Sequence, residues 1–237
     1  MEDDELLARV RQLQAQGRST NAIARAVEIP RGRVAPLVRA VAREQRKRSS
    51  TPPVVGCWVS AGWSDGLTVP QDHAWPDVEP EAETSGLAGV LVARAHPRVG
   101  GDATVCGYLV DTYCLGVKDA LGPRAMSRTG LRRFVDRFFD GFGRLPVEAP
   151  FDLAQHLVLG AVAYARGLGF DPHRDFRPAA GHLGELAGPS AIGFGRDGQP
   201  EYVQGPYDDA DGILRTLEAN VGRDNFTFTV QVPMHVG

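Results

Sequence analysis

Asp111, Cys114, Lys118 and Asp119 fall within one stretch, YLVDTYCLGVKDA, at residues 108–120. Two carboxylates, a thiol and a primary amine this close offer distinct chemistries. Asp111, at the end of an apolar run, and Lys118 can together handle a metal ion or a phosphate. Cys114 can act as a nucleophile where a neighbouring cation lowers its pKa. Lys118 is one of only two lysines in a chain with 24 arginines. A lysine kept where arginine is the default cation points to a need for a compact or tunable amine. A plain structural reading stands beside these: Cys114 as a small buried side chain, Asp111 as the cap of a following helix, Lys118 and Asp119 as surface ions. The expectation is that Asp111 and Lys118 work as a pair and that Cys114 is mainly packing. If the segment between them is helical, the two lie on one face about two turns apart.

A second cluster lies in YARGLGFDPHRDF, residues 164–176, with Tyr164, Asp171, His173 and Asp175. His173 and Asp175 have the types of a general base and the group that orients it. Gly167 and Gly169 also read as a helix end with Pro172 as the stop, and Asp175 as the cap of the next element. Neither HExxH nor HxH stands in the chain, so no metal is expected. Cys57, Cys106 and Cys114 are odd in number and lack CxxC spacing, which argues against a disulfide framework or a structural zinc site. No P-loop pattern stands in the chain, and no cofactor is expected.

The elements that must position these residues read as α+β. Val54–Val59 is an apolar, β-rich run. Residues 63–86, rich in Pro, Asp and Glu, read as a long loop. GLAGVLVARA and ATVCGYLVD flank a hairpin turn at Gly100-Gly101. Helical patterns cover about residues 127–141, 152–168 and 208–221, a second hairpin centres on Asp197-Gly198, and NFTFTVQVP alternates like a strand. The expected body is a mostly antiparallel sheet with helices packed on it.

Ahead of this body, charge is distributed differently. Residues 1–50 hold eleven basic and six acidic side chains, whereas the whole chain carries a formal net charge of −3. Arginine abundance by itself follows the Ala- and Gly-rich composition of a GC-rich coding sequence. A basic head on an acidic body fits nucleic-acid binding by the head.

The head contains three helical patterns. Leu6, Val10 and Leu13 are spaced for a first helix, which Gly17 ends. Ser19 caps a second, carrying Ile23, Ala24 and Val27. After EIP, Val34, Leu37, Val38 and Val41 mark a third. The stretch GRSTNAIARAVEIPRGRV resembles the helix-turn-helix family of homeodomain-like and resolvase-like type over about residues 5–45. The resemblance implies that the third helix enters the major groove. On its face opposite the apolar stripe lie Gly32, Pro36, Arg39 and Arg43, with Arg33 at the edge. Base contacts would then fall to Arg33 and Arg31, with guanine as partner. Arg39, Arg43, Arg46, Lys47 and Arg48 suit phosphates, and Ser19 and Thr20 can meet one at a helix N-terminus. Glu28 stands where the turn of the family has glycine, which implies a strained left-handed backbone. Pro36 implies a kink or a late start in the third helix.

The expected organisation is a helix-turn-helix domain at 1–48, a linker at 49–53 and an α+β domain at 54–237. The expected function is DNA binding, as a transcriptional regulator whose body senses, dimerises or recruits; the alternative is a hydrolase or nuclease with its catalytic groups in the body. The expected partners are DNA, with modest specificity per head, and a second copy in a homodimer. The acidic start MEDDELL has no signal pattern and no apolar run of about 18 residues occurs, so a cytoplasmic chain without membrane contact is expected.

Overall fold

The computed structural model describes residues 3–96, 102–143 and 145–230, with residues 3–4 and 44–50 described by backbone alone. The chain divides into two compact units, Met1–Pro52 and Pro53–Gly237.

The first unit is three helices: α1 (Asp3–Ala15), α2 (Thr20–Ala26) and α3 (Arg31–Ser50). Their apolar stripes meet in one core of Leu6, Val10, Leu13, Ile23, Ala24, Val27, Val34 and Val41. The 3–4 residue spacing of these positions is what turns one face of each helix inward. Ser19 caps α2 as expected, its hydroxyl accepting the Ala22 N–H at 3.3 Å. Glu28 adopts φ +56°, the left-handed conformation implied by its place in the turn.

Two readings of α3 are corrected. It does not start late: the Pro30 carbonyl accepts the N–H groups of Arg33 and Val34, and the helix runs from Arg31 to Ser50 with Pro36 in its second turn. The bond that Pro36 cannot donate is the one to the Gly32 carbonyl. The helix also continues to Ser50, so the first two residues of the expected linker, Ser49 and Ser50, belong to it; the preceding Arg, Glu, Gln and Lys are good helix formers. The chain turns extended only at Pro52-Pro53.

The second unit is built on β1 (Val54–Val59), β2 (Leu87–Ala95), β3 (Ala103–Asp111), β4 (Gly116–Met126) and β5 (Val147–Glu148). These form one antiparallel sheet in the order β4-β3-β2-β1-β5. Helices α4 (Arg128–Phe139), α5 (Phe151–Gly167), α6 (Phe176–Leu183) and α7 (Ala210–Val221) complete the unit with a short parallel pair, β6 (Glu201–Val203) and β7 (Thr227–Thr229). The class is α+β.

Both faces of the sheet are covered. Val59, Val90, Val92, Tyr108 and Val110 pack against Leu153, Leu157 and Ala161 of α5 and Phe176, Ala179 and Leu183 of α6. Leu91, Ala93, Ala103 and Val105, pointing the other way by the two-residue period of a strand, pack against Leu131, Val135 and Phe139 of α4. At one end, Cys114, Leu168, Tyr202, Leu217 and Phe226 form a smaller core with α7 and the β6–β7 pair.

The segment after Asp111 is a turn and a strand, not a helix. Asp111 pairs with Gly116 across the tight turn Thr112–Leu115, and β4 returns along β3. β2 and β3 pair along their whole length, although Gly100-Gly101 lies outside the described residues. The Asp197-Gly198 turn is present, with Arg196 bridged to Gln199, but β6 pairs with β7 instead of extending that hairpin. No described helix is long and apolar enough to cross a membrane.

Candidate functional site

In the head, α3 buries Val34 and Val41 and turns Arg31, Gly32, Arg33, Pro36, Arg39 and Arg43 to the exposed side. Each of these four arginines is exposed. Nothing lies within 4 Å of a Cβ built on Gly32, so packing within the protein does not require a glycine there. The Ser19 hydroxyl is engaged in capping α2, a helix of only seven residues, and Thr20 is partly buried. The side chains of Arg46, Lys47 and Arg48 lie outside the described residues.

In the body, Asp111 is buried at the end of β3. Its Oδ1 accepts the N–H groups of Tyr113 at 3.0 Å and Cys114 at 2.9 Å. The carboxylate thus folds the turn by substituting for backbone acceptors. Burial pushes its pKa up to about 6, against the opposing pull of the Cys114 N–H, the Lys118 charge and the Tyr113 and Leu115 N–H groups. Cys114 is fully buried, and burial together with the Asp111 charge drives its thiol pKa upward. That is the environment of an inert thiol, in keeping with packing rather than nucleophilic attack.

Lys118 does not bond Asp111. The β3–β4 register pairs Leu109 with Asp119 and Val110 with Val117, leaving Lys118 as the extra residue of a bulge. Its ammonium donates to Asp208 Oδ2 at 2.7 Å, with side-chain exposures of 17% and 12% for the two partners. The same oxygen accepts the Gly205 N–H at 2.8 Å and lies 3.4 Å from the Tyr202 hydroxyl. Asp111 feels Lys118 only through its charge. The Tyr164 oxygen is buried without a hydrogen-bond partner among the described residues, and burial, Cys114 and Asp111 raise its pKa.

The other sequence candidates converge. The His173 N–H bonds the Val117 carbonyl at 2.9 Å, tying the loop before α6 to β4. This sets the His173 ring beside Asp119, two residues further along the strand. His173 Nδ1 lies 3.6 Å from Asp119 Oδ1 and 3.7 Å from Asp175 Oδ2. Asp175 precedes α6 but makes no side-chain cap. Its N–H points at His173 Nδ1 at 3.4 Å.

Two features escape a reading of the sequence. Asp208 is one of several acids in YDDADG, and only the fold selects it as the partner of Lys118. The other is an aromatic cluster: His73 stacks on Trp75 with ring centroids 4.1 Å apart, and His156 lies 5.2 Å from Trp75. Trp75 donates to Asp152 at 3.1 Å, and His156 Nδ1 accepts the Ala191 N–H at 2.9 Å. Burial and the neighbouring His73 lower the pKa of His156. Its members come from a loop and from α5, and no local motif joins them.

No protein-family model, curated protein or solved structure matches this chain.

Proposed function

We propose that the chain is a DNA-binding protein, a transcriptional regulator that contacts the duplex through α3. The observation that carries this reading is the exposed side of α3, where Arg31, Arg33, Arg39 and Arg43 surround a surface made nearly flat by Gly32 and Pro36. Arginines flanking a smooth patch suit the close approach of a phosphate backbone, with little base readout between them. One head of this kind is weakly selective. The body then serves to bring two heads together or to couple binding to a signal.

Mobility-shift titrations of the full chain across salt concentrations test this. In a variant with Arg39, Arg43 and Arg46 all changed to Gln, affinity falls on every duplex alike. The salt slope flattens by up to about 3, nearly one unit for each phosphate that is no longer neutralised. Unchanged affinity and slope would refute the assignment to α3.

The alternative of a hydrolase or nuclease draws little support from Asp111 and Cys114, which are sealed in the core. Its support is the exposed group of Asp119, His173 and Asp175.

A further inference from the structure

We infer that Asp119, His173 and Asp175 form a binding site for one divalent transition-metal ion, with zinc the best fit. One oxygen from each carboxylate and one ring nitrogen of the histidine lie within 4.8 Å of one another. The separations from Nδ1 are 3.6 and 3.7 Å, too long for hydrogen bonds. They are close to the separation of roughly 3.4 Å that ligand atoms about 2.1 Å from a tetrahedral zinc ion adopt. The donor set is one imidazole and two carboxylates, which zinc accepts and which the alkaline-earth ions, preferring oxygen alone, match less well.

The Asp175 N–H lies 3.4 Å from the same Nδ1, a long contact that a metal bond to Nδ1 replaces. A cation set between the ring nitrogen and the two carboxylates also offsets the repulsion between those carboxylates.

The site is held from several directions. The Val117 carbonyl fixes the His173 backbone. Asp119 Oδ1 accepts the Ala120 N–H at 2.8 Å, which orients the carboxylate and leaves a second lone pair for a metal. Arg174 lies 3.7 Å from Asp175 Oδ1, the oxygen turned away from His173. Asp119 directly follows the bulge at Lys118, and bulges re-aim side chains where a regular strand would not. The three side chains are partly or largely exposed, so protein supplies three ligands and solvent fills the remaining position. An open fourth position is the arrangement in which zinc takes up water or an oxyanion.

Zinc titration of the full chain against a chromophoric chelator tests the inference. One equivalent binds in the micromolar range, and the ion raises the melting temperature. Asp119→Asn and His173→Gln each weaken binding by at least about tenfold and abolish the thermal shift. His156→Gln, in the separate aromatic cluster, leaves both readings unchanged. Circular dichroism of each variant confirms its fold; should His173→Gln unfold, Asp119→Asn, at an exposed position, carries the comparison alone. Absence of stoichiometric uptake at submillimolar zinc overturns the inference. So does uptake that Asp119→Asn leaves intact, and so does uptake that His156→Gln removes.

Discussion

Lys118 Nζ and Asp208 Oδ2 stand 2.7 Å apart, joining the bulged strand β4 to the segment that leads into α7. Neither charge has much access to water. Lys118→Met therefore strands Asp208 with the Gly205 N–H and the Tyr202 hydroxyl alone. The unfolding free energy in urea falls by about 3 kcal/mol, and most of it returns when Asp208 is also made apolar. Lys118→Arg is not a rescue. A Cβ on Gly205 would lie only 2.9 Å from Nζ, so the wider guanidinium has no room there and costs about 1–3 kcal/mol. A Lys118→Met protein as stable as the parent would show that the pair contributes nothing.

Asp111 gives the stability a pH dependence of defined sign. Its pKa rises from 3.8 in the unfolded chain to about 6 in the fold. Between these values the native state holds a proton that the unfolded chain has released. The resulting stabilisation is full below the unfolded value and is lost as pH climbs through the folded one, a change of about 3 kcal/mol. Asp111→Asn keeps an oxygen for the Tyr113 and Cys114 N–H groups but does not titrate. Relative to the parent, the variant therefore gains stability from pH 4 to pH 7 by roughly that amount. A difference independent of pH in denaturation series rules this out.

Glu28 carries a conformational penalty at φ +56°. Glu28→Gly relieves it, against the cost of a more flexible unfolded chain, and raises the stability of the head by about 1 kcal/mol. Chemical denaturation followed through a probe in the head reads this directly. A loss of stability there would mean that the Glu28 side chain makes up for its backbone.

Gly32 separates stability from binding. With open space around its Cβ position, Gly32→Ala improves helix propensity and stabilises the head by roughly 0.5–1 kcal/mol. If DNA approaches the smooth side of α3, the added methyl group lowers affinity severalfold at the same time. Affinity that rises in step with stability places the contact surface elsewhere.

Local pattern is sufficient wherever an element carries its own signal. The helices of the head announce themselves through apolar spacing and the Ser19 cap, and β1, β2 and β3 through runs of apolar residues. β4 does not, because GVKDALGPRAM mixes charges with two glycines and a proline and alternates poorly at its bulge. Reading the turn after Asp111 as a helix start follows from that silence. α6 is short and contains Pro178 and Gly181, so its signal is equally weak. The same limit governs the sites. His173 and Asp175 are near neighbours in sequence, and their types alone suggest a pair. Asp119 joins them only because the Val117 carbonyl holds the loop against the strand. Asp208 reaches Lys118 only through the end-core around Tyr202. Proximity across the fold is set by sheet order and packing, which single-sequence periodicity does not encode.

The borders of the five-stranded sheet restrict how copies of this chain can associate. On one border, β4 carries Pro123, which has no N–H to offer, and its Val117 carbonyl is already taken by His173. On the other, β5 is two residues long, and the neighbouring end of β1 shifts register between Val54 and Gly56. Among the described residues, neither border of this sheet presents a long, straight row of free donors and acceptors, so it offers a second molecule little template for continuing it. In the proposed pairing of two heads, the contact is expected on side-chain surface of helices and loops rather than along these borders, and the same blunting disfavours strand addition there.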